Sequence, residues 1–194
     1  MNSEIKSRYL LPGFIWLSDI GSNNSGQKKI YKELKRNFSY VENKLTKQGG
    51  YYWGRFSTGN ALALYVSRYL GDGIYVSDDS SILNAFSENS GVLTTASDVI
   101  YLLIIVEGKI LPGTDSVLRR EMVDMLLKQI SDSDSEYSDL NVRMLTTENI
   151  HELNKKYITD SASENTRSKI VPALALIFFL IVCGAGFAWF ILMA

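Results

Sequence analysis

DVIYLLIIVEGKILPGTDSVLRREMVDMLL, Asp98–Leu127, carries more fold information than any other stretch of the 194-residue chain. From Val99 to Val106 it is apolar without a break. A strand with one wet face would alternate apolar and polar residues, so this run implies a strand buried on both faces, and such a strand needs helices to cover it. Glu107-Gly108 reads as a tight turn into a short strand, Lys109–Leu111, which Pro112 and Gly113 stop. A helix over Ser116–Ile130 follows, placing Leu118, Met122, Met125 and Leu126 on one stripe.

Working outward, Phe14–Leu17 reads as a strand and Gly21–Gly26 as a turn-rich break. Gln27–Arg36 has Ile30 and Leu34 on one helical face, and the aromatic-rich Tyr51–Phe56 suits a strand. A helix over Gly59–Leu70, capped by Thr58, a strand at Gly73–Ser77 and a short helix at Ser80–Phe86 lead into the central strand. Beyond it, Ser131–Asp139 is a polar loop, Val142–Leu145 a strand and Asn149–Tyr157 a closing helix. The sum is an α+β domain over residues 1–157, a mixed sheet flanked by helices.

The remaining chain differs in kind. Ile158–Lys169 is polar and aperiodic and reads as a linker. Ile170–Ala194 contains none of the 41 charged residues, and about 20 apolar residues suffice for a helix to cross a bilayer. Pro172 falls in its first turn, where the missing N–H has no helical partner to lose. Lys155, Lys156, Arg167 and Lys169 beside the span predict, by the positive-inside rule, a single-pass protein with its N-terminal domain in the cytoplasm. Residues 170–194 are therefore expected to be a transmembrane helix. Such a chain is either tail-anchored or the front part of a longer bitopic protein, and the missing polar flank favours the second. Gly184 and Ala188 form a small-residue pair that would admit a second helix.

Composition narrows the chemistry. The net charge is -1, which gives no long-range field for nucleic acid. Cys183 is the only cysteine, so no intrachain disulfide can form and thiolate metal sites are absent. The N-terminal apolar stretch is interrupted by Pro12 and Gly13 and lacks a signal-peptide pattern. His151, the only histidine, lies on a polar helix without partners for a triad or a metal site. The loop Ser18–Lys29 is similar to an Asp-x-Gly-Ser phosphate loop, with Asp19 and Gly21 in the key places, but a second phosphate loop is missing. Asp132, Asp134, Glu136 and Asp139 resemble the start of a calcium loop, yet Tyr137 and Arg143 stand where Gly and Glu are required. No catalytic residue, metal ligand or cofactor is assigned. The densest set of hot-spot residue types before the apolar tail is Tyr51, Tyr52, Trp53 and Arg55. In an alternating strand Tyr52 would be buried while Tyr51, Trp53 and Arg55 project outward, making Trp53 and Arg55 the candidate partner-binding residues; the alternative is that both faces are core and edge, since aromatics favour strands regardless of function.

The order strand, tight turn with Gly108, the Ile110-Leu111-Pro112 segment, Asp115 and a helix resembles PilO-type pilin accessory proteins of type IVb pilus systems. The layout is also similar to BfpC-like inner-membrane proteins of bundle-forming pili and to the L-type subunits of type II secretion systems. This resemblance implies a partial actin-like cytoplasmic domain, one transmembrane helix, and a non-catalytic scaffold in the bacterial inner membrane. It further implies docking to the assembly ATPase and to a polytopic platform protein; self-association is an additional expectation. The competing expectations are a membrane-anchored actin-like nucleotide-binding protein using Asp19 and Gly21, and a tail-anchored adaptor.

Overall fold

The computed structural model describes residues 10–18, 25–52, 60–90, 98–132 and 137–162. It is an α+β fold with mixed sheets flanked by helices. Two compact units divide the chain, Met1–Lys155 and Lys156–Ala194. The first contains every strand among the described residues; of the second, residues 156–162 are described and are helical. The segment 170–194, expected to span a membrane, lies outside the described residues. Among those that are described, no helix is long and apolar enough to cross a bilayer.

The central strand is β7, Val99–Val106. Ile100, Leu102 and Ile104 are buried on one face and Tyr101, Leu103 and Ile105 on the other, as its unbroken apolar run requires. It pairs antiparallel with β6, Gly73–Ser77, on one side. On the other side two short strands share its length: β8, Lys109–Ile110, and β9, Ser116–Arg119. The β7–β8 hairpin closes on Glu107 and Gly108 with φ of 51° and 72°, the two left-handed residues of a type I′ turn. Asp72 fixes that turn, accepting hydrogen bonds from the Glu107 and Gly108 N–H groups at 2.8 Å each.

β10, Val142–Met144, adds to β6 in parallel and forms the outer edge. Helix α4, Arg120–Asp132, connects β9 to β10 and packs Val123 onto Ile74, Val76, Ile100, Leu102 and Ile104, with Leu127 and Ile130 against the same cluster. Helix α2, Leu62–Tyr69, follows the two-residue strand β5, Asn60–Ala61, which pairs with β1, Leu10–Leu11. Helix α3, Ser80–Ser90, lies between β6 and β7 in sequence. A second sheet orders β2, Ile15–Leu17, then β4, Gln48–Tyr52, then β3, Ser39–Asn43, all antiparallel. Helix α1, Ser25–Asn37, precedes β3. Residues 147–162 form α5, the last helix among the described residues.

Three expectations are corrected. Ser116–Arg119 is strand and not helix, because Val117 and Leu118 complete the ladder beside Tyr101 and Ile100, and α4 starts only at Arg120. Leu118 thereby leaves the expected helical stripe, whose other members, Met122, Met125 and Leu126, are exposed, while Val123 faces the sheet. Residues 158–162, expected to open a polar linker, are instead helical, since the closing helix runs from 147 to 162; the rest of that expected linker lies outside the described residues. Thr146 and Asn149 start that helix with a reciprocal cap: the Thr146 N–H donates to Asn149 Oδ1 at 3.1 Å and the Asn149 N–H to Thr146 Oγ1 at 3.4 Å, an arrangement of capping-box type.

Asp79 couples two helix starts. Its carboxylate accepts from the Ser81 N–H at 2.7 Å, as an N-cap residue does, and also from the Ser81 and Thr147 hydroxyls. Burial pushes the carboxyl up, but these bonds outweigh it and hold Asp79 below the usual carboxylate range. A depressed folded-state pKa means that the contribution is present above the ordinary carboxylate pKa and fades as pH falls through the folded value. Asp79→Ala is expected to cost about 1–2 kcal/mol at neutral pH. Urea unfolding should show the gap between mutant and wild type closing below about pH 4.

Candidate functional site

The most connected buried polar group is Asp115. Oδ1 accepts from the Gly13 N–H at 2.8 Å and the Tyr101 hydroxyl at 2.7 Å; Oδ2 accepts from the Phe14 N–H at 3.1 Å and the Trp16 indole N–H at 2.9 Å. Gly13 adopts φ +93°, and a Cβ there would meet the Phe86 ring at 2.9 Å, so only glycine presents its N–H in this way without strain. Burial pushes the Asp115 carboxyl up from its ordinary value, opposed by the four donors. Burial and the adjacent carboxylate push the Tyr101 hydroxyl well above its ordinary range, which keeps it protonated and donating. Every lone-pair direction of the carboxylate is thereby used. A group so enclosed is a structural tie between the N-terminal segment and the central sheet, with no lone pair left for a substrate.

A second tie is Gln48. In the two-residue hairpin, Val106 pairs with Lys109 and Ile105 with Ile110, which leaves the Ile110 main chain pointing away from β7. The Gln48 amide completes it: Nε2 donates to the Ile110 carbonyl at 2.8 Å, and Oε1 accepts from the Ile110 N–H at 2.9 Å. One side chain thus substitutes for a neighbouring strand and closes this edge of the sheet. Ser67 Oγ and Asn43 Nδ2 donate to the Gly108 carbonyl beside it.

Among the described residues nothing pairs with the opposite edge. Ile74 N–H donates to the Asn141 carbonyl at 3.0 Å and Leu145 N–H to the Val76 carbonyl at 2.8 Å, so the odd-numbered residues of this segment face β6. The main-chain groups of Val142 and Met144 therefore point outward. Their side chains lie on the sheet face that carries α4, since Val142 pairs with Ile74 and Met144 with Val76. Val142 is 54 % and Met144 50 % exposed, and on α4 Met122 and Met125 are 49 % and 66 % exposed. Arg143, on the other face, donates to the Leu70 carbonyl at 3.0 Å and sits over the Tyr75 ring.

The sequence-derived candidates fare differently. Trp53 and Arg55 lie outside the described residues, as do Asp19 and Gly21. Tyr51, expected to project outward with them, is buried: Val41 and Trp16 flank its neighbour Gly50, and Tyr40 packs on the Tyr51 ring at 5.2 Å. Both faces of β4 are covered, which an alternating pattern did not anticipate. His151 is exposed in a shallow groove with Thr147, Glu148, Glu152 and Lys155. Among the described residues no group of three or more His, Cys, Asp or Glu could hold a metal ion. Comparison with protein-family models, with curated proteins and with solved structures finds no match.

Proposed function

We propose that this chain is a non-catalytic, membrane-anchored subunit of a type IV pilus or related type II secretion assembly machine. Its α+β domain, in this reading a partial actin-like unit on the cytoplasmic side of the inner membrane, docks the assembly ATPase and the polytopic platform protein. The observation that carries the reading is the surface built by α4 and β10. Four large apolar side chains, Met122, Met125, Val142 and Met144, are each about half-exposed or more on one side of the sheet, next to a strand edge that is unpaired among the described residues. Flexible thioethers suit a surface that adapts to a partner, and an open edge offers main-chain hydrogen bonds to an added strand. The resemblance over Asp98–Leu127 supports the same reading. Its residues Gly108, Ile110 and Asp115 build the turn, the closed edge and the buried tie. The anchor is the 25-residue uncharged segment Ile170–Ala194.

Met125→Asp combined with Met144→Asp tests the docking surface. Both side chains are exposed, so thermal unfolding of the variant should match wild type. Its co-purification with the ATPase or platform protein should weaken about tenfold or more, corresponding to about 1.4 kcal/mol. A folded variant that retains both partners at wild-type levels would remove this surface from the account.

A further inference from the structure

Helix α1 is the strongest concentration of positive charge among the described elements. Lys28, Lys29, Lys32, Lys35 and Arg36 against Glu33 alone give Ser25–Asn37 a net charge of +4, whereas the whole chain stands at -1. Lys29, Lys32 and Arg36 recur at three- and four-residue intervals, which lines them along one side of the helix. All three are exposed. Ile30 and Leu34 fall on a different side by the same spacing, and the Leu34 carbonyl accepts from the Phe38 N–H as the chain turns into β3. Lys35 extends over the Tyr40 ring, 4.0 Å from its centre. Among the described residues Lys29, Lys32, Lys35 and Arg36 make no ion pair.

We infer that α1 is a peripheral contact for an anionic membrane surface, its Lys29–Lys32–Arg36 stripe resting on lipid headgroups. The inference builds on the anchored reading above. If Ile170–Ala194 inserts, only seven residues, 163–169, separate it from the helical residue Ala162, which keeps the domain beside the bilayer, where the effective concentration of headgroups is high. Each Lys or Arg held near an anionic leaflet adds an attraction that falls off within a Debye length. Three such residues in a row orient the domain as well as attract it. An acidic protein would satisfy the same charge, but the tether makes the bilayer the nearest extended anion.

The test uses the full chain with Cys183→Ser and a fluorescent donor on Asn37→Cys, reconstituted into bilayers that carry an acceptor-labelled lipid. Bilayers of phosphatidylcholine are compared with ones containing about 30 % phosphatidylglycerol. Energy transfer should be higher on the anionic bilayer. It should fall to the neutral-bilayer level in about 0.5 M NaCl and in the Lys29→Glu/Lys32→Glu/Arg36→Glu variant, whose thermal unfolding should be unchanged because all three residues are exposed. Flotation of the same full-length proteins keeps this inference separate from the anchor: retention on neutral bilayers at high salt reads the apolar segment alone. Without an anchor, α1 should still give salt-sensitive binding to anionic vesicles, on the order of 10–100-fold stronger in wild type than in the triple variant. Equal transfer on the two bilayers, or transfer insensitive to the three charges, would overturn the inference. Should the three charges be needed instead to bind soluble polyglutamate, the stripe is a site for an acidic protein and the lipid assignment fails.

Discussion

Asp115→Ala is expected to destabilise the domain by about 3–5 kcal/mol, because it leaves four donors, most of them buried, without an acceptor. Two of these donors, the Trp16 indole and the Tyr101 hydroxyl, come from side chains with no exposed surface. Neither can turn to water without opening the core. For a stability of about 5–15 kcal/mol this is a large fraction. The melting temperature should drop by about 10 °C or more. Tyr101→Phe provides a graded partner: it removes one donor and keeps the ring, and should cost about 1 kcal/mol. Because burial raises the folded-state pKa of Asp115, its ionisation works against folding. The sign is opposite to that of Asp79: stability linked to Asp115 is fully present below the ordinary carboxylate pKa and is lost as pH rises through the folded value. What the ionised form offsets in return is the desolvation of four donors. Asp115→Ala melting within a degree or two of wild type would show that the tie contributes little.

Gln48→Leu is the second large effect. Leucine fills nearly the same volume but offers nothing to the Ile110 N–H and carbonyl, which Gln48 satisfies inside the core. Each unsatisfied buried backbone group costs about 1–3 kcal/mol, so a loss of about 2–5 kcal/mol is expected. Gln48→Glu retains an acceptor for the Ile110 N–H while setting a carboxylate against the Ile110 carbonyl, and should be at least as damaging at neutral pH. Hydrogen exchange adds a local reading. The Ile110 amide should lose protection in Gln48→Leu by more than amides of β6, which Gln48 does not touch. Uniform loss across both strands, or none, would contradict the edge-closing role.

How far the fold could be read in advance follows from the kind of signal each element sends. β7 was legible because eight consecutive apolar residues leave few alternatives, and the hairpin after it because Glu-Gly and Pro-Gly punctuate the chain on both sides of Lys109–Leu111. β9 was not, since Leu118 continues the helical spacing of Met122 and Leu126 so well that only its pairing with β7 reveals a strand. β3 reads SYVEN and is too polar to stand out; it exists because β4 pairs with it along all five residues. Periodicity places Leu118, Met122, Met125 and Leu126 on one helical stripe, of which Met122, Met125 and Leu126 are on α4 and exposed, while Leu118 belongs to β9. A stripe on a helix says which residues share a side, and does not say whether the sheet or a partner covers them. Asp115 stood in the motif that suggested a family, without a role. Its burial depends on Trp16 and Gly13, some hundred residues away in sequence, and no local pattern encodes that meeting.

The central claim is a domain held at a membrane by the C-terminal segment and free to dock through α4 and β10. The most direct measurement is alkaline carbonate extraction of cell membranes containing either the full chain or a chain ending at Ala162. The full chain should remain in the membrane pellet, and the shortened chain should move to the supernatant as a folded domain. Release of the full chain by carbonate would contradict the anchor, and with it the reading of this protein as a membrane-bound docking subunit.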